Sequence, residues 1–221
     1  MFSFEGFVRI NSAATAVFRL AYLNLLWVAT TFLGLVVVGF GPASYALAAY
    51  LDRWVRHGET PPPARTFWRL VREQTWHAIL LGWILLGVGA VVVTNVLLAP
   101  NGTVRALNVV ALVALVIVAA YVFPVMAATD ITSIWRQLGS ALLIGLGSLH
   151  WTVLGATVLG VAAWLTWHFA APLFLLYGAG VPALVVALIT RIVFRPLVQS
   201  PELPGRTAHH PHDTPVTEQV S

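Results

Sequence analysis

Long apolar runs separated by short charged stretches dominate this chain. The stretches that lack Asp, Glu and Arg cover residues 20–51, 74–104, 106–129 and 137–190. A membrane-spanning helix needs about 20 mostly apolar residues. The second run fits one helix plus a turn at Pro100–Gly102, and the last run fits two helices with a turn near Trp164–Pro172. The pattern therefore predicts five spans, at about 20–40, 76–98, 106–127, 139–162 and 170–193.

Composition turns this pattern into a fold class. The 221 residues are 59% hydrophobic and 9% charged, whereas soluble domains carry about 25% charged residues. A chain of this length cannot cover so apolar a core with polar surface, so lipid must be part of its solvent. We expect an all-α, polytopic membrane helical bundle. The absence of Cys rules out disulfides, thiolate metal sites and a cysteine nucleophile.

The arginines predict an orientation, because cytoplasmic loops of membrane proteins carry an excess of basic residues. Five spans would place three arginines on one side and nine on the other. The three are Arg9, Arg19 and Arg105, and the nine are Arg53, Arg56, Arg65, Arg69, Arg72, Arg136, Arg191, Arg195 and Arg206. This predicts an outside N-terminus and a cytoplasmic C-terminus in a bacterial cell (inner) membrane. The net charge of +4 then needs no nucleic-acid partner.

The domain organisation follows from the same runs. We expect one integral-membrane domain over residues 1–195, a cytoplasmic loop over 52–75 and a disordered cytoplasmic tail over 196–221. Within the loop, an apolar face lies beside three arginines, which is typical of a short helix at the lipid headgroups. The apolar residues are Phe67, Leu70, Val71 and Trp76, and the arginines are Arg65, Arg69 and Arg72.

The sequence GFGP interrupts the first apolar run at Gly41 and Pro42. Proline suits the first turn of a helix. We therefore interpret GFGP as the end of the first membrane helix, with Pro42 opening a second helix that leaves along the membrane surface. The alternative is a hinge, or a broken helix that lines a cavity as in transporters.

Three stretches in this order resemble the YesL-like family of bacterial membrane proteins (DUF624, a domain of unknown function). They are LNLLWV…LG…GFGPASYAL at Leu23–Leu47, FWR at Phe67–Arg69 and VFPVMAATD at Val122–Asp130. The resemblance runs from about Phe7 to about Arg195. One departure is Phe32–Leu35, where the family often has a proline. The resemblance implies no established activity. It does imply an association with carbohydrate import and degradation systems.

Polar groups inside the apolar runs are the candidate site residues, because they are expensive in a bilayer. Four of these polar residues predict either an interfacial belt of helix-bridging amides or an outward-facing pocket for a hydroxylated ligand such as a sugar. They are Asn24, Asn95, Asn108 and His168. His150 lies within the fourth predicted span. It would either bond to a neighbouring helix or contact a proton or substrate.

Pro124 and Asp130 mark the cytoplasmic end of the third predicted span. Asp130 would either cap the helix that follows it, since a helix N-terminus favours an anion, or pair with an arginine of the 52–75 loop.

The function classes follow from what the sequence lacks. It has no phosphate-binding loop, no dinucleotide-binding glycine motif and no HExxH or Cys-based metal pattern. We expect no cofactor, no metal and no enzyme activity. The leading interpretation is an accessory or assembly subunit of a solute importer, with carbohydrate as the leading solute and with lipid and importer membrane subunits as partners. The alternative is an independent small-solute transporter or channel with an intramembrane polar site.

Overall fold

A computed structural model describes residues 4–129, 133–169 and 176–198, and within these ranges all regular structure is α-helical. The all-α prediction is therefore confirmed. The helices, in chain order, are α1 (Phe4–Leu33), α2 (Phe40–His57), α3 (Pro63–Glu73), α4 (Thr75–Leu98), α5 (Gly102–Ala128), α6 (Ile134–Gly147), α7 (Leu149–Phe169) and α8 (Gly180–Val198).

Three helices of the described part are long and apolar enough to cross a membrane: Ile10–Leu33, Thr75–Leu98 and Gly102–Ala128. A shorter apolar helix covers Gly180–Ile192. These helices confirm a membrane helical bundle, whereas five spans remain a prediction. The predicted fourth span, 139–162, is divided at Ser148 between α6 and α7.

Helices α1 and α2 form an antiparallel hairpin, which the sequence did not predict. The indole Nε1–H of Trp27 donates to Ser44 Oγ at 3.1 Å. Further from the turn, the Arg19 guanidinium lies 5.3 Å from the centre of the Trp54 ring. The prediction that Arg19 and the residues after Asp52 lie at opposite ends of one span is therefore wrong, because the chain reverses between Leu33 and Phe40.

Helix α2 is the central helix of the bundle and contacts α1, α3, α4, α5 and α8. The interpretation of this segment as a helix along the membrane surface is therefore wrong. Its residues from Gly41 to Leu51 are buried except Ser44. Many of them are alanines, whose small side chains let neighbouring helices approach from several directions. The interruption in the first apolar run serves to place α2 inside the bundle.

The turn between α1 and α2, Gly34–Gly39, is closed by its two end glycines. A Cβ atom at Gly34 would overlap the backbone of Gly39, so a larger residue does not fit there. Leu35 and Val36 have φ angles of 53° and 63°, in the left-handed region that β-branched residues avoid. The tight turn thus holds two side chains in strained backbone conformations.

This strain predicts an asymmetry between two valines of the turn. Val36→Gly should raise the melting temperature in detergent by a few degrees, because the left-handed region costs an L-residue roughly 1–2 kcal/mol. Val38→Gly is the matched control, since Val38 is similarly exposed and lacks a positive φ. The Val38→Gly substitution should leave the melting temperature unchanged or lower it. Equal effects of the two substitutions would show that the turn is unstrained.

Helix α3 packs its apolar face into the protein instead of presenting it to lipid headgroups. Phe67 and Leu70 are almost completely buried, and the helix contacts α1 and α2. The Tyr50 hydroxyl donates to the Pro61 carbonyl oxygen at 2.8 Å. This hydrogen bond connects α2 to the loop between α2 and α3. The predicted headgroup face is therefore wrong for Phe67 and Leu70, although the arginines beside it, Arg65, Arg69 and Arg72, are exposed.

Candidate functional site

A cavity of about 250 Å³ lies where the α1–α2 hairpin meets α5 and α8. We call it the hairpin cavity. Trp27, Phe40 and Phe123 form its aromatic side, with edge-to-face ring contacts at centroid distances of 6.2 Å and 6.3 Å. Its described lining residues are Trp27, Phe40, Ser44, Leu47, Ala48, Ala119, Ala120, Phe123, Pro124, Ala179, Pro182, Ala183 and Val186.

The chemistry of the hairpin cavity is almost wholly apolar. Among the described lining residues, Ser44 carries the one side-chain hydroxyl, and it already accepts a hydrogen bond from Trp27. None of the described lining residues is Asp, Glu, His or Arg. No group of three or more His, Cys, Asp and Glu within the described part of the chain could hold a metal ion. The described lining can therefore accept a small apolar group.

Asn24 fastens two distant parts of the chain to each other. Its side chain is almost completely buried, and its Oδ1 accepts the N–H groups of Ala179 at 2.9 Å and Gly180 at 2.8 Å. Because the first N–H groups of a helix have no intrahelical partner, Asn24 acts as a cap for α8 supplied by α1. This agrees with the helix-bridging interpretation.

The other polar residues grouped with Asn24 do not join it in a pocket. Asn95, Asn108 and His168 are at least partly exposed. Asn108 donates to Val104 of its own helix, and a ring nitrogen of His168 lies 3.0 Å from the Trp164 carbonyl oxygen. The predicted outward-facing sugar pocket is therefore not formed by these residues.

Gly41 marks the closest approach of α2 and α4. A Cβ atom on Gly41 would overlap the Ala78 carbonyl group, and one on Gly82 would lie 3.0 Å from the Gly41 Cα. Pro42 is buried and lies in the first turn of α2. Its missing N–H costs nothing there, because N–H groups of the first turn have no intrahelical acceptor. Gly41 and Pro42 thus permit a tight helix crossing beside the turn.

Pro124 lies inside the last turns of α5 and lines the hairpin cavity. A proline lacks the N–H that would bond the carbonyl four residues earlier, which belongs to Ala120, another lining residue. The Ala120 carbonyl therefore lacks the N–H of residue 124 as a donor where α5 meets the cavity. Asp130 lies outside the described residues, so its two predicted roles stay predictions.

His150 is exposed and does not line the hairpin cavity. Ser148 and Thr152, two residues before and two residues after His150, belong to a polar cluster with Tyr121. The Tyr121 hydroxyl lies 2.8 Å from Thr152 Oγ1, and Ser148 Oγ donates to the Ile144 carbonyl at 2.7 Å. This hydroxyl cluster bridges α5 to the break between α6 and α7. The four-residue spacing of Ser148 and Thr152 was the available signal, since it places both on one helical face.

A second cavity, of about 500 Å³, lies between α5, α7 and α8 and is lined by apolar side chains apart from Tyr121 and Thr152. It shares Ala120, Pro182 and Val186 with the hairpin cavity. The two cavities therefore meet along α5 and α8.

The end of the hairpin opposite the turn carries a partly buried ion pair. Arg56 Nε lies 3.2 Å from Asp52 Oδ1, one helical turn away. Burial raises the pKa of Asp52, and Arg56 beside it works in the opposite direction. This pair lies at the α2 end near Arg19 and Trp54, away from both apolar cavities.

The fold and the site define an all-α membrane protein in which Asn24, Trp27 and Tyr121 form hydrogen bonds between helices. Comparisons with known proteins place it more closely. Residues 20–96 match the family described as "Protein of unknown function, DUF624". That stretch contains the inner part of α1, all of α2 and α3, and most of α4.

Two proteins of Bacillus subtilis (strain 168) are similar to the chain. It is 37% identical to "Uncharacterized protein YteU" over 76 residues, which is 34% of each protein. It is 28% identical to "Uncharacterized protein YesL" over 190 residues, or 84% of this chain and 88% of that protein. No solved structure matches the chain. The family model and both relatives confirm the resemblance to the YesL-like family.

Proposed function

We propose that this protein is a non-catalytic accessory subunit that binds the membrane part of a solute importer in the bacterial inner membrane, with sugars as the leading solute class. The observation that carries the proposal is how the interior polar groups are used. Asn24 caps α8, Trp27 bonds Ser44 and Tyr121 bonds Thr152. A solute pathway needs polar groups that face a passage, whereas these groups face each other across helix contacts.

The two apolar cavities support the same proposal. A sugar is recognised by polar side chains that converge on its hydroxyl groups. The lining residues that the structure describes in the two cavities include no Asp, Glu, His, Arg, Asn or Gln. An independent sugar transporter would need such groups in its binding site, so the accessory role agrees better with these linings.

The outward faces of α4 and α5 supply a surface for a partner. Only 22% of the most apolar window of α4 and 33% of that of α5 are buried inside the chain. Transmembrane helices associate through van der Waals packing of such faces. Val91 and Val110 are among their exposed residues. We propose that part of this surface contacts an importer subunit.

Photocrosslinking in the native membrane tests the proposed partner. A photoreactive phenylalanine analogue at Val91 or Val110 should capture importer membrane subunits in cells grown on sugars, identified by mass spectrometry. The same analogue at Thr60, an exposed loop residue, is the control and should not capture those subunits. Deletion of the gene should lower uptake of at least one sugar.

Two results would contradict the proposal. The first is unchanged uptake of every sugar together with no importer subunit among the crosslinked products. The second is solute transport by the purified protein alone in liposomes, which would favour the independent transporter.

A further inference from the structure

The α1–α2 hairpin carries an apolar tip at its closed end. The tip consists of Phe32, Leu33 and the turn Gly34–Gly39. Phe32, Leu33 and Leu35 are 67%, 74% and 83% exposed. Water would make such a tip costly, because burying apolar surface is worth about 25 cal/mol per Å². The tip therefore needs an apolar environment outside the chain.

The level of the tip is fixed by α4. The Trp83 indole Nε1–H donates to the Val37 carbonyl oxygen at 3.0 Å, so the tip lies beside Trp83. At 1.5 Å per residue, Trp83 is about 12 Å from the start of α4 at Thr75 and about 22 Å from its end at Leu98. If α4 spans the bilayer, the tip lies within the hydrocarbon and does not reach the far surface.

The N–H groups of the turn meet the condition that hydrocarbon imposes on backbone donors. In lipid, backbone polar groups must be satisfied within the protein. The N–H groups of residues 34 to 40 all donate to carbonyl oxygens between Thr30 and Val36, at 2.7–3.2 Å. A turn in water has no need for such complete internal bonding, since water can serve as the acceptor.

The exposed residues of α4 near Trp83 belong to a helix that is long and apolar enough to cross a membrane. Leu80, Trp83 and Leu86 lie on a candidate membrane span and have exposed side chains. Acyl chains that cover these residues would continue across the tip at the same depth. This continuity favours lipid as the occupant of the tip surface over a separate protein partner.

We propose that α1 and α2 form a re-entrant hairpin: both arms lie toward the arginine-rich side of the membrane, and the tip rests among lipid acyl chains without crossing. Arg19 then lies on the same side as Arg53, Arg56, Arg65, Arg69 and Arg72. Arg105, at the far end of the α4–α5 pair, lies on the other side. The excess of arginines on one side of the first two full spans, α4 and α5, is then larger than it would be if α1 crossed the membrane.

Single cysteines test the sides of the membrane, because the chain has no Cys of its own. Ser12→Cys, Thr60→Cys and Asn101→Cys alter exposed positions on α1, on the α2–α3 loop and between α4 and α5. A membrane-impermeant maleimide should label the first two from one side of the membrane and the third from the other. Labelling of Ser12→Cys and Thr60→Cys from opposite sides would show that α1 crosses.

A spin label on Phe32→Cys tests what covers the tip. In liposomes it should collide frequently with oxygen, which concentrates in hydrocarbon, and rarely with a water-soluble nickel chelate. A label on Thr60→Cys is the matched control and should show the reverse. Frequent nickel collisions at residue 32 would place the tip in water. Low collision rates with both reagents would show that protein covers it, and either result would overturn the proposal.

Discussion

Gly41→Ala is expected to lower the melting temperature of the purified protein by about 3–10 °C. The added Cβ would overlap the Ala78 carbonyl group on α4. Backbone cannot rotate away as a flexible side chain can, so α2 and α4 must separate. Overpacking of this kind costs about 1–3 kcal/mol, and 1 kcal/mol shifts the melting temperature of a protein of this size by roughly 2–4 °C. Fluorescence of the nine tryptophans gives the measurement.

Gly87→Ala is the matched control for this prediction. Gly87 also lies in α4, but no atom lies within 4 Å of the position its Cβ would take. Alanine is favoured over glycine in a helix interior by about 1 kcal/mol, so this variant should be as stable as the original protein or more so. Equal destabilisation by both substitutions would show that α2 and α4 do not meet at Gly41.

Asn24→Leu is expected to have the second large effect. The substitution keeps a side chain of similar size and removes the acceptor for the N–H groups of Ala179 and Gly180. An unsatisfied buried polar group costs about 1–3 kcal/mol, so the loss should reach about 2–4 kcal/mol. We expect a melting temperature lower by about 5–12 °C, and proteolysis between α7 and α8 at lower temperature than in the original protein.

Asn108→Leu separates this effect from a general loss of amides. Asn108 bonds only its own helix at an exposed position, so its replacement should leave the melting temperature within about 2 °C of the original. If Asn24→Leu proves as mild as Asn108→Leu, the contact between α1 and α8 contributes little to stability.

The apolar runs were sufficient to predict the helices and the lipid environment. They could not distinguish a helix that crosses from one that turns back, because a hairpin and a span have the same hydropathy. The reversal depends on Gly34 and Gly39, whose contact with each other has no periodic signal. The central position of α2 was also hidden, because its alanines and its Arg53 and Arg56 resemble those of a surface helix.

For single site residues too, the sequence pattern does not identify the contacts that the fold creates. An amide in an apolar run is costly in any fold, so the sequence alone makes Asn24 a candidate site residue. Its partners are backbone N–H groups more than 150 residues away, which no local pattern can identify. For His150 the sequence signal is its depth along a predicted span. Depth does not determine which way a side chain points, and the neighbouring Ser148 and Thr152 face the interior instead.

The dependence of α8 on Asn24 has a consequence for biosynthesis. The hairpin leaves the ribosome first, yet α2 is not fully covered and Asn24 does not receive the N–H groups of Ala179 and Gly180 until α8 has been made. Contacts of such long sequence separation form late. A nascent or truncated chain would therefore present an uncovered α2, the kind of transiently exposed surface that quality-control proteases and chaperones recognise. Synthesis of α8 is then the step that allows α2 to be covered and Asn24 to receive its two N–H groups.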